Sequence, residues 1–155
     1  MLRISKLADY AIIIVSLMAH KSELIQSAAQ VAGEINLRLP TVSKILKLLS
    51  TAQLVTAHRG TGGGYQLARS AQEITLAQIV IAIEGSLAMT ECCSSEILCS
   101  LDAFCSIKEN WKTINKIILT TLGSLTLADM MRPLNVNALT LKGIPITVQG
   151  LNDDK

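Results

Sequence analysis

All four cysteines of this chain fall between Thr90 and Trp111, in the stretch TECCSSEILCSLDAFCSIKENW. Cys93, Cys99 and Cys105 are evenly spaced with five residues between neighbours, and Cys92 directly precedes the first. Thiolates are the ligands that soft iron and zinc centres prefer, and three of them on one short, Ser-rich loop can converge on a metal. Two other chemistries compete. Disulfides belong to oxidising compartments, and nothing ahead of the loop marks the chain as secreted. Zinc sites usually pair cysteines about two to four residues apart. No CxxC and no ligand-spaced His pair is present, and His20 and His58 lie far upstream. The loop therefore reads as a cluster site with three protein thiolates and one further ligand to be found.

The elements that position such a loop follow from composition and periodicity. At 155 residues the chain is one domain, or a small domain with an extension. Half of it is apolar, yet it holds one Trp, two Tyr and one Phe, so its core must be aliphatic. The net charge of +2 is unevenly spread. Residues 1–70 carry eight Lys/Arg against three Asp/Glu, and residues 71–155 carry six against nine. A basic first half points to a polyanion-binding surface there. The most apolar stretch, Leu7 to Ala19, is interrupted by Asp9 and Ser16 and is too short to cross a membrane. It also lacks a small-residue cleavage site. A soluble, cytoplasmic protein without a membrane partner is expected.

Ser5 to about Lys21 reads as a first helix, with Ser5 as its N-cap and Asp9 in its first turn, where the helix dipole favours an acid. Leu7, Tyr10, Ala11, Ile14, Leu17 and Met18 follow one helix face. Ile12, Ile13 and Val15 widen the apolar surface and imply burial against two partners. Ser27-Ala28-Ala29-Gln30 has the form of a capping box and opens a short helix to about Glu34. A turn at 36–39 leads to Pro40, placed where a first helical residue tolerates proline. Val42, Ile45, Leu46 and Leu49 then recur at helical spacing, while Thr41, Ser43, Lys44, Lys47 and Ser50 form a polar, basic opposite face. Two short helices joined by a tight turn, the second basic on its outer side, form a helix-turn-helix pattern.

The next segment strengthens that reading. Leu54 to Arg59 and Tyr65 to Arg69 alternate and are β-prone, and Gly60-Thr61-Gly62-Gly63-Gly64 lies between them. This is a glycine-tipped hairpin directly after the recognition helix, a wing. A P-loop is excluded because no Lys-Ser/Thr follows and no helix opens there. A dinucleotide fingerprint is excluded because Tyr65 takes the third-glycine position. His58 and Arg59 at the wing edge are placed to reach a phosphate or the narrow minor groove. Tyr65 is read as wing core rather than a base-stacking residue.

Thr75 caps a further helix whose Leu76, Ile79, Val80 and Ile83 are expected to face inward and which Gly85 ends. After Cys105 a long helix runs to about Leu122, with Gly123 as its breaker and one or two more turns over Thr126 to Met131. Its stripe Ile107, Trp111, Ile114, Ile118, Leu122 and Leu125 is narrow and sustained, which suits helix-to-helix packing between subunits. From Pro133 the chain is polar and loosely patterned, with Ile144 to Val148 its strand-prone run, and a flexible tail is expected. The fold class is thus mainly α with a small β-wing. The expected divisions are a winged helix-turn-helix DNA-binding head over 1–85, a cysteine loop with dimerisation helices over 86–131, and the tail over 132–155.

These residues together resemble the IscR-type winged-helix regulators of bacteria, also called the Rrf family, and within it the regulators of SUF iron–sulfur cluster assembly. The resemblance rests on Leu2-Arg3-Ile4-Ser5 with Asp9-Tyr10, on the wing Arg59-Gly60-Thr61-Gly62-Gly63-Gly64-Tyr65, and on the cysteine triplet ahead of Trp111. It covers about residues 1–131. It implies a homodimer that binds an imperfect palindrome of double-stranded DNA and whose cluster senses iron, redox state or nitric oxide. By this resemblance Cys93, Cys99 and Cys105 take the cluster-ligand positions. Arg59, with Gly60 beside it, takes the minor-groove position of the wing, and Thr41, Ser43 and Lys44 take base-facing positions, flanked by Arg38 and Lys47. The chain departs from the pattern at one point. Where the biogenesis regulators carry a histidine ligand, it has Lys108, a protonated side chain and a poor ligand. In the nitric-oxide-sensing relatives an Asp from the partner subunit fills this role, and Asp9-Tyr10 matches that pattern. A 2Fe-2S and a 4Fe-4S cluster both fit.

The expected function is a transcriptional regulator controlled by an iron–sulfur cluster. The alternative is a regulator of the same fold that uses its thiols for zinc or for direct oxidation. No Ser/His/Asp or paired-carboxylate arrangement supports an enzyme.

Overall fold

The computed structural model describes residues 4–94, 99–100 and 104–134. Six α-helices and one two-stranded antiparallel sheet make up the described chain: α1 (Lys6–His20), α2 (Ala28–Glu34), α3 (Leu39–Thr51), β1 (Val55–His58), β2 (Gly64–Leu67), α4 (Leu76–Glu84), α5 (Lys108–Ser124) and α6 (Leu127–Met130). Of the tail expected over 132–155, residues 135–155 with the strand-prone run lie outside the described residues, as does Leu2-Arg3.

Three of the four helices of the head, α1, α2 and α4, begin where a side chain satisfies an orphan backbone donor. The Ser5 hydroxyl accepts from Ala8 N at 3.2 Å. Ser27 and Gln30 form a complete capping box on α2, and Thr75 and Gln78 form one on α4. Past the Ile35 cap of α2, Asn36 has a φ of +52°, the left-handed conformation that Asn tolerates better than most residues. Leu37 N then reaches back to Ala32 O at 3.1 Å, and α3 starts after Arg38 with Pro40 in its first turn.

The core is aliphatic, as the composition requires. Val42, Ile45, Leu46 and Leu49 of α3 are fully buried against Ala11, Ile14, Val15 and Met18 of α1, with Ile79 of α4. Truncating a leucine at such a position costs about 2–5 kcal/mol, because the cavity left behind adds to the lost transfer energy. The apolar surface of α1 is narrower than the sequence implies: Ile13 is exposed, and Leu7, Tyr10 and Leu17 are only partly buried. Ile83 of α4 is likewise partly buried.

α5 leaves this core and packs along α4. Gly123 does not break it, since the helix continues through Ser124 and stops where Leu125 becomes extended. The stop is tertiary in origin. Leu76 N donates to Leu125 O and Leu127 N donates to Ile74 O, each at 2.8 Å, so the strand-like pair Thr75–Thr126 pulls the chain back to the head. Leu127 of α6 is then fully buried in the same core as α1 and α3.

Candidate nucleic-acid interface and thiol site

The outer side of α3 carries the polar and basic residues that its buried stripe leaves over. Arg38, Lys44 and Lys47 are exposed, and Thr41 and Ser43 are partly so. Among the described residues none of these cations is engaged in an ion pair, whereas Lys21 pairs with Glu34 and Lys112 with Glu109. Leu39 adds a feature that the periodicity does not single out. It opens α3 and is 46% exposed, a large apolar side chain that the core does not claim. Its signal in the sequence is a leucine off the buried stripe, next to Pro40, at the end of the helix that such motifs point at base edges.

The wing is built as the glycines dictate. β1 and β2 pair in the register Val55↔Leu67, Thr56↔Gln66, Ala57↔Tyr65 and His58↔Gly64. Gly63 N closes the tip on Gly60 O at 3.0 Å, and Gly60 has a φ of +104°, open to glycine without strain. Arg59 and Gly60 are exposed at the tip, while His58 is partly buried. Tyr65 is half-buried against the core, in agreement with its reading as wing core. Tyr65 also joins the wing to the helix-turn-helix. Gln26 N donates to Tyr65 O at 2.9 Å and Tyr65 N donates to Gln26 O at 2.8 Å, immediately before the Ser27 cap of α2. The wing is thereby fastened to the start of the two-helix unit α2–α3, and exposed cations stand on α3 and at the wing tip.

The thiol site sits against α5, the helix that packs along α4. Cys92 and Cys93 lie on the single 3-10 turn Glu91–Cys93, which packs on α5. Asn115, the one buried residue of α5, accepts a hydrogen bond from Met89 N at 3.0 Å through Oδ1 and so fixes the approach to that turn. All four cysteines are free thiols of intermediate burial. Residues 95–98 and 101–103, which include Glu96 and Asp102, lie outside the described residues. Asp9 is exposed in the first turn of α1, a helix whose start is tied to α4 by Ser5 N donating to Glu84 Oε1 at 3.1 Å. Among the described residues no three Cys, His, Asp or Glu side chains are gathered as a metal site, so Cys93, Cys99, Cys105 and Asp9 are not brought together within one chain. The donor chemistry suits a soft iron centre, since the thiols are unpaired and partly shielded. The assembled ligand set is not part of the described structure.

The stripe expected for subunit packing is uncovered only in part: Ile107 and Ile114 are exposed, Trp111, Ile118, Leu122 and Leu125 are partly buried, and Ile117 adds an exposed side chain off the stripe. The exposures of Ile107, Ile114 and Ile117 are 53%, 41% and 39%. No helix among the described residues is long and apolar enough to cross a membrane.

Comparison with known proteins agrees with this architecture. The family profile Rrf2, described as iron-dependent transcriptional regulator, matches residues 4–133. Protein rrf2 of Nitratidesulfovibrio vulgaris is 32% identical over 113 residues, covering 73% of this chain and 75% of that protein. Among solved structures, IscR of T. potens superposes with a TM-score of 0.63 at 30% identity, over 84% of this chain and 86% of that one. CymR, the global cysteine regulator of B. subtilis, superposes with a TM-score of 0.64 at 26% identity, over 87% of this chain and all of that one. The family match spans the winged helix-turn-helix, the thiol turn and α5 alike, and the chain belongs to the Rrf2 family of transcriptional regulators, DNA-binding proteins and not enzymes.

Proposed function

We propose that this regulator is a cytoplasmic homodimer whose promoter binding is controlled by an iron–sulfur cluster. The head, residues 1–85, binds an imperfect palindrome in double-stranded DNA. The segment 86–131 carries the cluster loop and the dimerising surface, and 132–155 is a tail. Cys93, Cys99 and Cys105 hold the cluster, and Asp9 of the partner subunit supplies the remaining ligand. When bound, the cluster gives the protein a centre whose oxidation state and iron occupancy respond to the cell. The genes for SUF-type cluster assembly are the natural targets, by likeness to the IscR group. The observation that carries this reading is the stripe of exposed apolar side chains Ile107, Ile114 and Ile117 on and just ahead of α5, the helix on which the turn bearing Cys93 packs. A second copy laid on that stripe buries it and brings another subunit close to the thiols.

A second reading has its own support. The same thiols are unpaired, two of them adjacent, and the fold is shared with CymR. A zinc-dependent or directly oxidised sensor would use the same DNA-binding head. Iron and sulfide analysis after anaerobic reconstitution separates the two. Coloured protein with iron and sulfide in comparable amounts supports the cluster. Stoichiometric zinc without iron uptake rejects it.

A further inference from the structure

Cys92 has no place in the cluster reading, yet the structure gives it a distinct environment. Cys92 and Cys93 are consecutive free thiols on one 3-10 turn, and the Thr90 hydroxyl lies 3.1 Å from Cys92 Sγ and 3.2 Å from Cys93 Sγ. A hydroxyl carries a single hydrogen, so Thr90 donates to at most one sulfur and accepts from the other. Both thiols are thereby held towards one point. Direct closure into a disulfide is strained, because consecutive Cα atoms are about 3.8 Å apart while disulfides usually span about 4.4–6.8 Å. Two convergent thiols that resist forming an S–S bond suit a soft centre that bridges them. Beside Cys93 lies an open pocket of about 260 Å³ whose lining includes Ile81, Leu87, Leu119 and Asn115, room for an apolar substituent on such a centre.

We propose that Cys92 and Cys93, with Thr90, form a vicinal-dithiol site for organic trivalent arsenicals. Occupancy withdraws Cys93 from the ligands of the cluster, a consequence that rests on the function proposed above. The reaction involves no oxidation. An arsenic–oxygen group meets two thiols, two arsenic–sulfur bonds form, and the oxygen leaves as water with both thiol protons.

The test uses the reduced, cluster-free full chain and phenylarsine oxide, read by native mass spectrometry and free-thiol counting. One arsenical per chain should consume two thiols, survive excess glutathione and be released by dithiothreitol. Cys92→Ser, Cys92→Ala and Cys93→Ser should lose the glutathione-resistant adduct, while Cys99→Ser and Cys105→Ser keep it. An adduct that survives in both Cys92 variants, or that needs Cys99 or Cys105, overturns the proposal. Circular dichroism of each variant separates loss of the site from loss of the fold. Reconstitution distinguishes the two readings. Arsenical should block iron uptake by the wild type and not by Cys92→Ser. If no variant ever takes up iron, the cluster reading fails and the dithiol site still stands on the adduct. If iron enters and the adduct lies elsewhere, the dithiol site fails alone.

Discussion

Gly64 stands where any side chain would collide with the backbone of Gln26: a Cβ there would come within 2.5 Å of the Gln26 carbonyl oxygen and 2.9 Å of Ser27 N. The closeness follows from the Gln26–Tyr65 pairing that fastens the wing to the cap of α2. Backbone on both sides leaves nothing flexible to yield. Gly64→Ala is expected to lose about 1–3 kcal/mol of stability, as overpacked sites do, and to weaken DNA binding by loosening the wing. Gly62→Ala is the control, with open space around its Cβ and no positive φ. Thermal melts and gel shifts on both variants check this. Equal effects from the two would mean that the Gln26 contact does not hold the wing.

Gln53, just past the Ala52 cap of α3, has a φ of +58°, and Leu54 N reaches back to Leu49 O at 2.9 Å. The left-handed conformation costs an L-residue roughly 1–2 kcal/mol. Glycine removes that cost and returns part of it as greater freedom of the unfolded chain. Gln53→Gly should therefore raise stability by up to about 1 kcal/mol. The urea midpoint should rise with the slope unchanged. Asn36→Gly should gain less, since Asn already tolerates this region.

Acid sensitivity has an identifiable local source. Thr126 donates to the Asp129 carboxylate through its backbone N–H and its hydroxyl, both at 2.8 Å, and this holds the carboxyl below its ordinary value of 3.8. A depressed carboxylate stabilises the fold above its unfolded value, and the contribution is lost as pH falls through the lower folded one. Wild-type stability should thus decline as pH drops through and below about that ordinary value. Asp129→Asn should flatten part of this acid limb. Glu73, held down first by the Ser70 hydroxyl and then by Ser70 N, contributes in the same direction and remains in that variant. Melting curves over a pH series that are superimposable for wild type and Asp129→Asn would reject the assignment.

Much of the head is legible in the sequence because its signals are local. Ser5, Ser27 and Thr75 cap the helices that their positions imply, Gly85 ends α4, and the α3 stripe is buried as its spacing requires. What escapes the sequence depends on distant partners. Gly123 has the look of a helix end, but the end is set by Leu76 and Ile74 drawing the chain back at Leu125 and Leu127. The glycines of the wing read as turn formers, whereas Gly64 is required by Gln26, far upstream. Cysteine spacing shows which thiols share a loop but not which share a neighbour, so Thr90 between Cys92 and Cys93 is invisible before the fold.

DNA binding should distinguish positioning from reading. Arg59→Ala and Lys44→Ala are expected to weaken binding. Where the removed cation neutralises a phosphate, the slope of log affinity against log salt should fall by about one. Leu39→Ala should leave the salt slope unchanged and alter sequence preference, because an apolar side chain at a base edge contacts the thymine methyl. Titrations at several salt concentrations, on sites with thymine replaced by uracil, provide the check. Affinity indifferent to salt and to Arg59 would count heavily against the wing as a DNA-binding element.

The last prediction concerns the ligand that the three thiols leave over. Asp9 is exposed on α1 and is not gathered with the cysteines of its own chain. Lys108, at the position where the biogenesis regulators carry histidine, is a cation and a poor donor to iron. A carboxylate from the other subunit would be a weaker, more exchangeable ligand than a fourth thiolate, which suits a responsive centre. It would also couple cluster occupancy to the head, since α1 lies against α3 and α4. A mixed dimer tests both the residue and its origin. One subunit carries Asp9→Ala with its cysteines intact, and the other carries Cys93→Ala with Asp9 intact. Donation across the interface completes one site per dimer, so about half of the wild-type iron and sulfide should return. Donation within a chain completes neither site, and the heterodimer would then hold no more cluster than the Asp9→Ala homodimer. If that homodimer keeps the wild-type absorption spectrum and iron content, Asp9 is not a ligand.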